Sequence, residues 1–90
     1  MIIVSQDKTK IVNFDNLTQI YITRDEEETA TFIRYETVDS LYDDLGEYKT
    51  EKRAKEILQE IIQAYLGCNE QNVLAEYAYV KNKVYEMPKE

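Results

Sequence analysis

Apolar and polar positions alternate through the first half of the chain in short bursts parted by polar turns. Ile2–Ser5 is apolar and β-branched, Gln6–Thr9 supplies a turn, and Lys10–Phe14 carries Ile11, Val12 and Phe14. Asp15-Asn16 follows, a pair whose side chains bond the local backbone and so favour a turn. Gln19–Thr23 sets Ile20 and Ile22 on one face and Tyr21 on the other. After the acidic run Asp25-Glu26-Glu27-Glu28, Thr29–Glu36 resumes with Phe32, Ile33 and Tyr35, and Ser40–Asp43 opens a fifth strand through Leu41 and Tyr42. Runs of this length at this spacing predict an antiparallel meander. Phe32 and Ile33 point opposite ways, so either could mark the buried face of the fourth strand. Gly46 interrupts the fifth strand, where a glycine marks a bulge that would turn Tyr48 toward the next element.

That next element reads as a helix over Glu51–Leu66. Thr50 stands at the N-cap, Glu51 complements the dipole in the first turn, and Gly67 occupies the place of a left-handed C-cap. Between them Ala54, Ile57, Leu58, Ile61, Ile62 and Tyr65 form one apolar stripe at helical spacing. Glu51 with Lys55, and Lys52 with Glu56, make i, i+4 pairs on the solvent side. The last quarter mixes two periods. Val73, Tyr77, Val80 and Val84 keep helical spacing, whereas Tyr77–Val80 and Lys83–Met87 are rich in β formers. The reading adopted is an irregular or short helical link after Asn69, then a final strand at Lys83–Met87 that Pro88 brings to an end.

The expected fold is therefore α+β: an antiparallel sheet of about five strands, one amphipathic helix packed on a face, and a C-terminal edge strand. Residues 1–90 leave room for a single domain. No apolar run approaches the roughly 20 residues that span a bilayer. Neither a cationic opening nor an apolar leader precedes Ser5-Gln6-Asp7-Lys8. A single cysteine, Cys68, suits a reducing interior. A cytoplasmic protein is expected.

Charge narrows the partners. The net charge is −7, of which residues 1–50 hold −6 and residues 51–90 only −1. Repulsion from phosphates disfavours nucleic acid and anionic membrane surfaces alike. Chemistry is narrowed further by what is missing. The chain has no histidine, one cysteine and two isolated glycines, which removes the commonest general base, a paired thiol nucleophile and any glycine-rich phosphate loop. No enzyme, no metal and no cofactor is expected. The run Asp25–Glu28 cannot turn four consecutive carboxylates toward one ion, and a solvated hairpin tip accounts for it better. Asp43 and Asp44 face opposite sides of a strand and cannot share a site.

Two groups remain as candidates for binding. Lys49, Lys52 and Arg53 gather at the helix N-terminus, where free N–H groups attract anions, although a solvated first turn with Lys52 paired to Glu56 explains them better, since bases at this end slightly oppose the dipole. Eight tyrosines are the other feature. Sheet packing explains most of them, and a partner surface on Tyr77, Tyr79 and Tyr85 is the sharper alternative.

Val4–Asn16 (VSQDKTKIVNFDN), Leu45–Tyr65 (LGEYKTEKRAKEILQEIIQAY) and Val84–Glu90 (VYEMPKE) carry a resemblance. Together, over 41 of the 90 residues, they resemble a group of small uncharacterised proteins from prophages and genomes of low-GC Gram-positive bacteria. The middle stretch is the most distinctive. The resemblance brings no activity, cofactor or site residue with it; what it implies is provenance, a phage-derived accessory protein in a bacterial cytoplasm. The expected function is protein–protein interaction, with self-association slightly favoured and the region Tyr77–Met87 as the docking rail. An acidic nucleic-acid mimic that inhibits a DNA-binding protein is the alternative. A small enzyme using carboxylates alone comes third.

Overall fold

The computed structural model describes residues 1–27, 29–70 and 84–90, with side chains described up to Gly67 in the helix. The order of elements is β1 (Ile2–Val4), β2 (Ile11–Asn13), a 3-10 turn (Phe14–Asn16), β3 (Leu17–Arg24), β4 (Thr31–Thr37), β5 (Tyr42–Tyr48), α1 (Glu51–Glu70) and β6 (Val84–Glu86). The α+β class holds. The strands among the described residues, however, are divided between two three-stranded sheets rather than gathered in one.

The division has a local cause. Asp15-Asn16 does make the expected turn, with Asn13 Oδ1 accepting from the Asp15 N–H at 3.0 Å. It closes a 3-10 corner instead of a hairpin, so β3 leaves the plane of β2 and starts a ladder of its own. The first sheet has the order β2-β1-β6. β1 pairs antiparallel with β2 and parallel with β6, matching Ile3 to Val12 and to Tyr85. The second sheet is the antiparallel meander β3-β4-β5, with Ile22 opposite Ile33. Alternation places Thr31, Ile33 and Tyr35 toward the core and Phe32 away from it, which decides the face of β4.

Gly46 sits where β5 bulges. Ile33 pairs with Gly46 and Arg34 with Asp44, so Leu45 is the extra residue. The Tyr48 ring folds back over Gly46: a Cβ there would lie 2.9 Å from that ring and 3.1 Å from Gln6 Cβ. Only glycine leaves room.

Helix α1 starts as its sequence requires. The Arg53 N–H donates to Thr50 Oγ1 at 3.1 Å, and Lys55 pairs with Glu51 at 3.2 Å. Glu56 is taken by Arg53. The helix does not end at Gly67 but runs to Glu70, and among the described residues no glycine adopts positive φ. A glycine inside a helix costs about 1 kcal/mol relative to alanine, which packing over the preceding turns outweighs. Ala54, Ile57 and Ile61 are buried, together with Ile33, Leu45 and Tyr48 from the second sheet. Met1, Ile3 and Met87 close the core from the first sheet. Ile62, at 46% exposure, lies on the rim of the stripe rather than inside it.

Candidate interaction surface

Two surfaces hold the features that binding would use. The first runs along β3. Among the described residues no strand pairs with its outer edge, because β3 is the end member of its sheet. Leu17–Thr23 carries no charge, in a chain with 18 acidic and 11 basic residues. Edge strands are ordinarily guarded against foreign pairing by charge or proline, and along β3 only the last residue, Arg24, supplies either. Beside it opens a groove of about 360 Å³ between β3 and α1. Phe14 and the β3 residues Leu17 and Ile20 form one wall; Leu58, Ile61 and Ile62 form the other. Phe14 stacks on Tyr65 at the end of this wall, with ring centroids 4.8 Å apart and planes tilted by 38°. Leu66, four residues beyond Ile62 in α1, is exposed as well.

The second surface is the seat of the C-terminal segment. The ladder with β1 continues past β6, since the Met87 N–H donates to the Val4 carbonyl at 3.0 Å. Three side chains then grip three successive carbonyls. Tyr48 Oη donates to Pro88 O at 2.7 Å, Gln6 Nε2 to Lys89 O at 2.7 Å, and Arg53 Nε to Glu90 O at 2.9 Å. Gln6 also joins the two sheets. Its N–H donates to Leu45 O, its Oε1 accepts from the Glu47 N–H, and its Nε2 donates to Glu47 O, each at 2.8 Å. Its side-chain amide therefore acts as a short strand along the outer edge of β5.

The expected site residues fall mainly on this second surface. Tyr85 is half-buried against the core, and its hydroxyl donates to Glu60 at 2.7 Å. Burial, then the bond to Glu60, raises its pKa well above the ordinary tyrosine value. Tyr77 and Tyr79 lie outside the described residues. Of the three basic residues, Arg53 is turned to its own molecule. Its guanidinium meets Glu56 at 3.3 Å and Glu60 at 3.4 Å. Burial works against that charge, yet the two carboxylates outweigh it and hold the pKa above the usual arginine value. Lys49 and Lys52 are exposed and stand apart from this cluster.

The acidic positions are occupied locally. Asp25 accepts from the Thr29 N–H and hydroxyl at 2.7 Å each and from the Ala30 N–H at 3.2 Å, closing the β3–β4 loop. The Thr29 hydroxyl is the main reason its pKa is lowered. Asp7 does the same in the β1–β2 loop, accepting from Thr9 and Ser5, and its pKa is lowered by those bonds. Asp44 bonds Arg34 at 2.8 Å, while Arg34 stacks 5.0 Å over the Tyr42 ring. Among the described residues no three ligand-type side chains come together to hold a metal ion, and no helix is long and apolar enough to cross a membrane.

The β3 groove had no sequence signature of its own. Its residues come from the 3-10 turn, a strand and a helix, and no single stretch of the sequence displays them together. Compared with protein-family models, with curated proteins and with solved structures, the chain matches none.

Proposed function

We propose that the chain is a protein–protein interaction module, a phage- or prophage-type accessory protein of the bacterial cytoplasm that binds an extended segment of a partner protein along β3. The observation that carries this reading is the uncharged edge Leu17–Thr23, unpaired among the described residues and lying beside the apolar groove. A strand added to that edge gains main-chain hydrogen bonds, and its alternate side chains drop between Ile20 and Ile62. The remaining surface is acidic, with a net charge of −7, so the fitting partner strand is apolar at alternate positions and flanked by Lys or Arg. A nucleic-acid mimic would instead need its acids free and in line. Here Asp44 is paired with Arg34, Glu86 with Lys8, and Glu56 and Glu60 with Arg53, so these acids are compensated within the molecule.

A photo-reactive residue placed at position 62 of the full chain tests the proposal in host lysate. The expected product is a cross-link to one partner protein, which then binds the purified wild-type chain but not Ile62→Glu, while Val84→Glu on the far sheet binds normally. Cross-links confined to residues 71–83 of the same chain would overturn the reading, because the groove would then be covered from within. Equal loss of binding in both variants would overturn it as well.

A further inference from the structure

The segment Val84–Glu90 is held as a peptide ligand is held. Its strand part adds to β1 through backbone hydrogen bonds, with Val84 opposite Ile2 and Glu86 opposite Val4. Alternate side chains go inward: Tyr85 is half-buried against the core and Met87 is 2% exposed among Met1, Ile3 and Tyr48. Beyond Met87 the body reads backbone alone, through the grips of Tyr48, Gln6 and Arg53 on consecutive carbonyls. Lys8 adds an ion pair to Glu86. Every one of these contacts would be equally satisfied by the same heptapeptide arriving on another molecule.

We infer that the β1 edge is a strand-acceptor site whose ligand is the segment Val84–Glu90 of a second copy, so that two chains can exchange these segments. The ligand is the sequence VYEMPKE, which the site fits. Thirteen residues, 71–83, join the segment to α1, a length with an extended reach of about 45 Å. That is ample for a neighbouring molecule. The exchanged and unexchanged forms share every contact of the segment and differ only in this connection. The intramolecular form is favoured at low concentration, because exchange between two chains depends on protein concentration and closure within one chain does not. When the segment leaves, β1 loses a partner strand and its edge becomes a template for the next segment that arrives. This inference concerns the first sheet and is independent of the β3 groove.

The test uses full-length chains in which Cys68 is replaced by serine. One chain carries Ile2→Cys and the other Val84→Cys, register partners on the outer face of the first sheet. The two are mixed at high concentration, oxidised and separated by mass. Exchange predicts a mixed disulfide dimer several-fold more abundant than either homodimer. A statistical mixture of the three, or no cross-linked dimer, overturns the proposal. A chain carrying both substitutions provides the second measurement. It should oxidise to a monomer when dilute, which establishes that the paired cysteines meet in the folded molecule, and increasingly to dimer as concentration rises. Monomer alone up to millimolar concentration would overturn the exchange, while leaving the β3 reading untouched.

Discussion

Thr50 supplies both halves of the start of α1. Its hydroxyl accepts from the Arg53 N–H at 3.1 Å, and its carbonyl takes the first helical bond from the Ala54 N–H, also at 3.1 Å. Without the hydroxyl, one N–H of the first turn has only water. Thr50→Ala should therefore cost about 1 kcal/mol and Thr50→Ser much less. Urea denaturation of the three proteins checks this, and coincident curves for wild type and Thr50→Ala would place the helix start elsewhere. The cap was legible in the sequence because capping is a local contract between neighbours. The bulge at Gly46 was legible for the same reason, but what makes glycine obligatory there was not. The Tyr48 ring folds back over Gly46 on the way to the Pro88 carbonyl, and that partner lies 40 residues away along the chain. Gly67 shows the reverse. A glycine near the end of an apolar stripe fits a C-cap, yet here the backbone stays helical to Glu70.

Periodicity gave α1 its buried face, and packing trimmed the stripe. Six residues share helical spacing, but the helix presents its centre line to the second sheet, so Ala54, Ile57 and Ile61 are buried while Ile62 is 46% exposed. Ile61→Ala should cost about 2–4 kcal/mol, since it removes three carbons from a packed interior. Ile62→Ala should cost well under half of that, the side chain being already half in water. Chemical denaturation that ranks the two equally would mean that the groove beside Ile62 is filled in solution. The strands were legible one at a time through alternation, as with Ile20 and Ile22 against Tyr21. Their grouping was not. Whether β2 continues into β3 is decided by three residues, Phe14–Asn16, whose turn can serve equally as hairpin or corner. The partner of β6 lies at the other end of the chain, and nothing in three residues of strand names it. The candidate surfaces suffer more from this than the fold does. Tyr85 drew notice as a display residue, and its place beside β1 turns it toward the core and Glu60 instead.

At the scale of the whole molecule, the two sheets and the helix meet around the C-terminal segment, and two phenols help to hold it there. Tyr48 is 3% exposed and donates to Pro88 O; Tyr85 donates to Glu60. Both bonds need the protonated hydroxyl. Burial pushes the Tyr48 phenol up from the ordinary 10.0 to about 12, with the charge of Arg53 pulling a little the other way. Tyr85 is raised in the same direction by burial and by its carboxylate partner. A pKa raised by folding means that the native state holds the proton more tightly than the unfolded chain does. The stability tied to it is present in full below about pH 10, the unfolded value, and is lost as the pH climbs through about 12. Urea denaturation from pH 8 to pH 12 should therefore show stability falling over the top two units. Tyr48→Phe should begin lower at pH 8, having lost the bond to Pro88, and then fall less steeply than wild type, because one of the protons that drive the decline is gone. Parallel curves for the two proteins would show that Tyr48 titrates alike in folded and unfolded chains, and that its hydroxyl is not what fastens the C-terminal segment to β5.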